Sequence, residues 1–137
     1  MGLDQYAWST KRPMYYEKDD EGDPVLKPDV KIDKFYWRKH SKLQSYFENK
    51  FFRGELKGLR DDRDFNCNPL SLDHGTVDQL EELIHAKKMP TSEGGFFYGH
   101  DYQDEQADEY RDQDLRFCRW ARKELAKGNH VYYDCWW

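Results

Sequence analysis

No stretch of this chain approaches the ~18 consecutive apolar residues of a membrane span, so no transmembrane helix is expected. Cysteine is scarce. Cys67, Cys118 and Cys135 are odd in number, widely spaced and form no Cys-x-x-Cys pair. That excludes a disulfide framework and suits reduced thiols in a cytoplasm. No basic-then-apolar leader opens the chain, and we expect no secretory signal. Met1-Gly2 is followed by Tyr6 where myristoylation calls for serine or threonine. His-Glu-x-x-His is absent, and histidines 40, 74, 85, 100 and 130 lack ligand spacing. Asp101, Asp104, Glu105 and Asp108 lack the ordered alternation of a calcium loop. No metal and no cofactor are therefore expected. A basic excess is missing too: the net charge is −5, which argues against nucleic acid as a partner. There is no internal repeat and no low-complexity tract.

What is abundant is aromatic. Mean hydropathy is −1.17, which alone suggests disorder. Against it stand 10 Tyr, 8 Phe and 5 Trp, each able to bury a large area. A chain of 137 residues fits one domain with an aromatic core and a charged surface. The charge is uneven. Residues 61–110 hold 13 acidic and 3 basic side chains, while residues 11–60 hold 13 basic and 9 acidic. The acidic stretch reads either as solvated helix and loop surface or as a patch that docks on a basic partner.

Leu3 to Ser9 reads as an opening strand. Residues 11–31, with Pro13, Pro24 and Pro28, read as a loop or arm, turning at Glu21-Gly22-Asp23-Pro24. Tyr36, His40, Leu43, Phe47 and Phe51 form one stripe, predicting a helix from Trp37 to Phe52. Residues 54–64 are glycine-punctuated and charged, hence loop. Phe65 to Leu72 is a strand pushed to an edge by Pro69. Asp73 or Thr76 caps a helix running to about Lys88. Phe96-Phe97-Tyr98 is a brief strand between glycines. Asp112 caps a last helix that stops at Gly128, and His130 to Trp137 is the closing strand. This alternation predicts an α+β domain over residues 1–137, with about three helices on a small mixed or antiparallel sheet. The two terminal strands are expected side by side, with Tyr133, Trp136 and Trp137 as structural residues.

Three aromatic clusters adjoin groups suited to an anion. Arg38-Lys39-His40 follows Phe35-Tyr36-Trp37 at the expected start of a helix, where free N–H groups and positive potential favour phosphate or carboxylate. Pro90 to Gly95 lacks the P-loop pattern, yet its backbone amides suit an anion. Tyr132 to Trp137 supplies the third cluster. For catalysis, His130, Asp134 and Cys135 are pieces of a thiol triad, but strand alternation puts 135 on the opposite face from 130 and 134. A binder is therefore expected over an enzyme. The candidate ligand contacts are Trp37, Arg38, Lys39, His40, Asn66, Thr91, Gly94, Gly95, Tyr98 and Tyr133. The expected partner is a small anionic, nucleotide-like ligand. The alternative is a host protein bound through the acidic middle, and a homodimer stays open.

Taken together, several segments resemble a family of small proteins from tailed bacteriophages and bacteria. They are Met1-Gly2-Leu3-Asp4-Gln5-Tyr6, Tyr36-Trp37-Arg38-Lys39-His40, Phe65-Asn66-Cys67, Pro90-Thr91 through Gly99, and Tyr132 to Trp137. The chain departs from that pattern at Glu93-Gly94-Gly95, where one glycine is expected, at Tyr98 for phenylalanine and at Cys135 for serine. Such proteins are often labelled phosphoglycerate kinase, a label that this short chain without a nucleotide loop does not support. The resemblance implies a phage-type accessory protein acting in the cytoplasm of a bacterial host.

Overall fold

The computed structural model describes residues 2–28, 33–60, 62–91 and 103–137. The described residues form nine elements in chain order: β1 (Asp4–Thr10), β2 (Tyr15–Lys18), β3 (Pro24–Lys27), β4 (Phe35–Arg38), α1 (Ser41–Phe52), β5 (Leu70–Leu72), α2 (His74–Ala86), α3 (Gln103–Ala126) and β6 (His130–Trp136). Four strands make one antiparallel sheet in the order β4-β1-β6-β5. The predicted α+β class holds, and β1 and β6 lie side by side from Asp4↔Trp136 to Thr10↔His130.

The sheet has two unlike faces because successive side chains alternate. Gln5, Ala7, Trp37, Val131, Tyr133, Cys135, Leu70 and Leu72 are buried. Most of them join Leu43, Phe47, Leu80, Ile84, Phe117 and Ala121 from the helices in one core. On the other face, Trp8 and Tyr132 stack at 5.7 Å beneath Met14, making a second, smaller core with Leu26.

Residues 11–31 are not simply loop. β2 and β3 pair as a hairpin, Tyr15↔Lys27 to Lys18↔Pro24. Its turn is held by the Asp19 carboxylate, which accepts N–H bonds from Glu21 and Asp23, and Gly22 supplies the positive φ of 84°. The expected helix from Trp37 is also corrected. Phe35–Arg38 is strand, Lys39 turns the chain at φ 57°, and the helix starts at Ser41. Aromatic residues favour a half-buried strand, and pairing with β1 outweighs a helical spacing that two residues share by coincidence.

α1 lacks a side-chain cap of its own. Gln5, fully buried on β1, replaces it. Its Oε1 accepts the His40 N–H at 2.9 Å, and its Nε2 donates to the His40 carbonyl at 3.1 Å and to the Tyr133 hydroxyl at 2.9 Å. α2 starts where predicted, with Asp73 accepting the Thr76 N–H at 2.7 Å. α3 begins nine residues before the expected Asp112, because Ala107, Tyr110 and Asp114 extend its inner stripe into an acidic, polar segment. It stops at Gly128 as expected, with φ 84°. Of the strand expected from Phe65 to Leu72 only β5 forms, after Pro69 and at the sheet edge, and Phe96–Tyr98 lies outside the described residues.

Gln5→Leu would strand the N–H and carbonyl of His40 and a donor to Tyr133. It should lower unfolding stability by roughly 2–4 kcal/mol, read as a lower midpoint in a urea titration. An unchanged midpoint would show that the clasp at α1 is dispensable.

Candidate functional site

The predicted aromatic–cationic cluster divides along β4. Trp37 points inward, donating Nε1–H to Asp114 Oδ1 at 2.8 Å and meeting Phe117 edge-on at 5.2 Å. His40 is also fully buried. Its Nε2 lies 2.7 Å from Asp114 Oδ2, its ring stacks on Tyr110 at 5.2 Å, and its Nδ1 makes no hydrogen bond. Tyr133 is buried too, donating to Gln44 Oε1 at 2.5 Å and stacking on Phe47 at 4.1 Å. These three side chains organise the core and do not reach the surface that Arg38 occupies. Asn66 closes a two-point bond on the Trp137 backbone, at 3.1 and 3.2 Å. Thr91 is exposed, and Gly94, Gly95 and Tyr98 lie outside the described residues.

Arg38 and Lys39 are exposed. The strand registers place Arg38 beside Asp4 and Asp4 beside Trp136, with Tyr36, Tyr6 and Asp134 in the next row. Tyr36 and Trp136 are 45% and 58% exposed, so Trp136 is paired in the sheet but open to solvent. The Tyr36 hydroxyl donates to Asp4, and that bond, then partial burial, raises its pKa above the usual phenol value. Burial, then Asp4, Asp33 and Asp134, raises that of Tyr6. This face is therefore flat, aromatic and mixed in charge, with one arginine among carboxylates.

Aromatic rings and cations meet in a concave place elsewhere, just past α1. A cleft of about 300 Å³ is lined by Phe51, Phe52 and Leu56 together with Lys57, Arg60 and Arg63. Phe52 is 51% exposed and is backed by Phe51 at 5.1 Å and Phe65 at 6.4 Å. Arg60 is partly neutralised. Its Nε is 3.2 Å from Asp62 Oδ2 and its Nη2 is 3.6 Å from Asp64 Oδ2. The contact to Asp62 is off-axis, so the buried Nε–H of Arg60 makes no hydrogen bond. Among the described lining residues, Asp62 is the one acid beside Lys57, Arg60 and Arg63, and it is paired with Arg60.

The loop that carries these cations is held firmly. Asn68, 1% exposed, accepts the Arg60 N–H at 2.9 Å and donates to the Asp64 carbonyl at 2.9 Å. Leu59 N–H donates to the Pro69 carbonyl, and Gly58 bridges to Leu70. A Cβ on Gly58 would sit 2.3 Å from the Asn68 side chain, so glycine is required there for close approach. None of these residues was among the sequence candidates. The signal was present in Phe51-Phe52-Arg53-Gly54 followed by Lys57, Arg60 and Arg63, which reads as a charged loop until Asn68 and β5 are seen to fix it.

Two of the thiols, Cys118 and Cys135, are held in their neutral form. Cys135 Sγ donates to the Phe65 carbonyl at 3.7 Å and accepts from Gln44 Nε2 at 3.3 Å, and burial pushes its pKa well up. Burial likewise pushes Cys118 up to about 12. Among the described residues no three His, Cys, Asp or Glu side chains converge as a metal site, and no helix is long and apolar enough to cross a membrane.

Gly58→Ala should force Asn68 aside, cost roughly 1–3 kcal/mol and broaden the amide resonances of residues 58–68. A variant with wild-type stability and spectra would refute the fixed loop. With a thiol reagent at neutral pH, the native protein should react quickly at half-buried Cys67 alone. Cys118 and Cys135 should react only after denaturation, because burial keeps them as thiols. Fast labelling of Cys135 would contradict its raised pKa. No protein-family model, no curated protein and no solved structure matches this chain.

Proposed function

We propose that the protein binds a small anionic ligand with a flat apolar part, a nucleotide-like molecule, in the cleft beyond α1. The observation that carries this reading is Phe52 exposed beside Lys57, Arg60 and Arg63 in one cleft. An aromatic ring stacks on Phe52, and a phosphate or carboxylate meets the exposed ends of the cations. The role is binding: among the described residues, no side chain in the cleft pairs a nucleophile with a base. Following the resemblance to phage proteins, this is an accessory protein that sequesters a host signal or metabolite in a bacterial cytoplasm, in the service of host takeover or anti-defence.

The alternative of an acidic adaptor is less well supported. Five of the 13 acidic side chains in residues 61–110 are met within the chain: Asp62 and Asp64 by Arg60, Asp78 and Glu81 by Arg122 at 3.0 and 3.1 Å, and Asp104 by Lys42.

A thermal-shift screen of mononucleotides, cyclic nucleotides and sugar phosphates tests the proposal. A ligand present at a hundred times its Kd stabilises by about 2.7 kcal/mol, which raises the melting temperature by several degrees. Lys57→Ala with Arg63→Ala should erase the shift and leave the melting temperature of the free protein nearly unchanged, while Arg38→Ala should bind as wild type. No shift with any compound sinks the proposal. Loss of the shift in Arg38→Ala alone would move the site to the open face of the sheet.

A further inference from the structure

α2 ends on an unusual residue. Lys87 adopts the left-handed conformation, φ 55° and ψ 41°, while its N–H returns to Ile84 and that of Lys88 to Leu83. Glycine usually holds this position, because a side chain there carries backbone strain. The lysine side chain has a place to go. It lines a cavity of about 160 Å³ between the end of α2, the first turns of α3 and the start of α1. A cavity of this order accepts a benzene-sized molecule.

The walls differ in chemistry. Ile84, Met89 and Ala107 give an apolar surface. Arg111 donates Nη1–H to the Ile84 carbonyl at 2.5 Å, which fixes the guanidinium and leaves its other donors. Lys42 is only 11% exposed at its side chain, and its Nζ lies 2.5 Å from Asp104, which is 88% exposed. Lys42 is therefore satisfied from the solvent side. Among the described residues Lys87 makes no ion pair, and Asp108 completes the rim.

We propose that this cavity binds a small aliphatic carboxylate, its carboxylate held by Arg111 and Lys87 and its hydrocarbon laid on Ile84, Met89 and Ala107. The planar fork of Arg111 suits a carboxylate in two-point fashion. Asp108, also in the lining, is an acid that a 2-amino group could pair with, so acids with and without that group share the main contacts and differ at this one. The site is separate from the cleft beyond α1 and does not depend on it.

The test is calorimetric titration of the full chain with leucine, its keto acid and hexanoate. At least one should bind, and amide resonances of Ile84, Met89 and Ala107 should move on addition. Lys87→Gly isolates the charge, because glycine suits the backbone there and the variant should melt no lower than wild type. It should bind the carboxylate roughly tenfold or more weakly, as expected for loss of a charged hydrogen bond. Lys57→Ala with Arg63→Ala should bind it unchanged. Tighter binding of leucine than of the keto acid would assign the ammonium to Asp108, whereas the reverse order would leave the carboxylate site standing without it. Failure of all three acids to bind, or equal affinity in Lys87→Gly, would overturn the proposal.

Discussion

Asp114 is a carboxylate in the middle of the protein, away from water, and three elements depend on how its oxygens are met. One receives the indole N–H of Trp37 from β4, the other the ring nitrogen of His40 from the entry to α1. A buried carboxylate is tolerable only when such donors are in place. Their positions are set in turn by Gln5, which clasps the His40 backbone from the next strand. Tyr133 and Gln44 continue the chain of bonds toward Cys135. The polar network thus links β1, β4, β6, α1 and α3 through the centre of an aromatic core. Each bond fixes an angle that ring packing alone would leave free.

The same helix that carries Asp114 also finishes the sheet. β4 is an edge strand, and edge strands invite pairing with other chains. Here Gln113 donates to the Tyr36 carbonyl at 2.6 Å, and the Tyr110 hydroxyl lies 3.0 Å from the Arg38 nitrogen and 3.3 Å from its oxygen. At the other edge the loop around Gly58 covers β5. That loop protects a strand and also holds the cationic cleft open. One local arrangement thus serves stability and, on the proposed reading, binding.

Much of this fold was legible in the chain. The α+β class, the adjacency of β1 and β6, the Asp73 cap, the Gly128 stop and the edge position of the strand after Pro69 all follow from local rules. The failures share a cause. Tyr36 and His40 are four apart, so they satisfy a helical spacing, but only the partner strand shows that Tyr36 belongs to a sheet. The first turns of α3 are acidic and disguise a narrow inner stripe of Ala107, Tyr110 and Asp114. The candidate site divided for the same reason. A run of adjacent aromatic and basic residues on a strand sends alternate members to opposite faces, so Trp37 could not accompany Arg38. The cleft was hidden because its cations come from a loop, and a loop's geometry is set by distant contacts such as Asn68.

The pairing of β1 with β6 also bears on the time at which this protein can fold. The bond from Gln5 to Tyr133 joins residues 128 apart in sequence. The two strands form the centre of the sheet, so neither face of it is complete until β6 has been made. Contacts this distant are slow to form because the loop between them must first be closed. A ribosome adds ~5–20 residues per second, so the nascent chain spends seconds with its first strand lacking that partner. Trp8 and Ala7 are then uncovered, in a crowded solution, with a strand edge exposed. Completion of the sheet is therefore a late event that waits on β6.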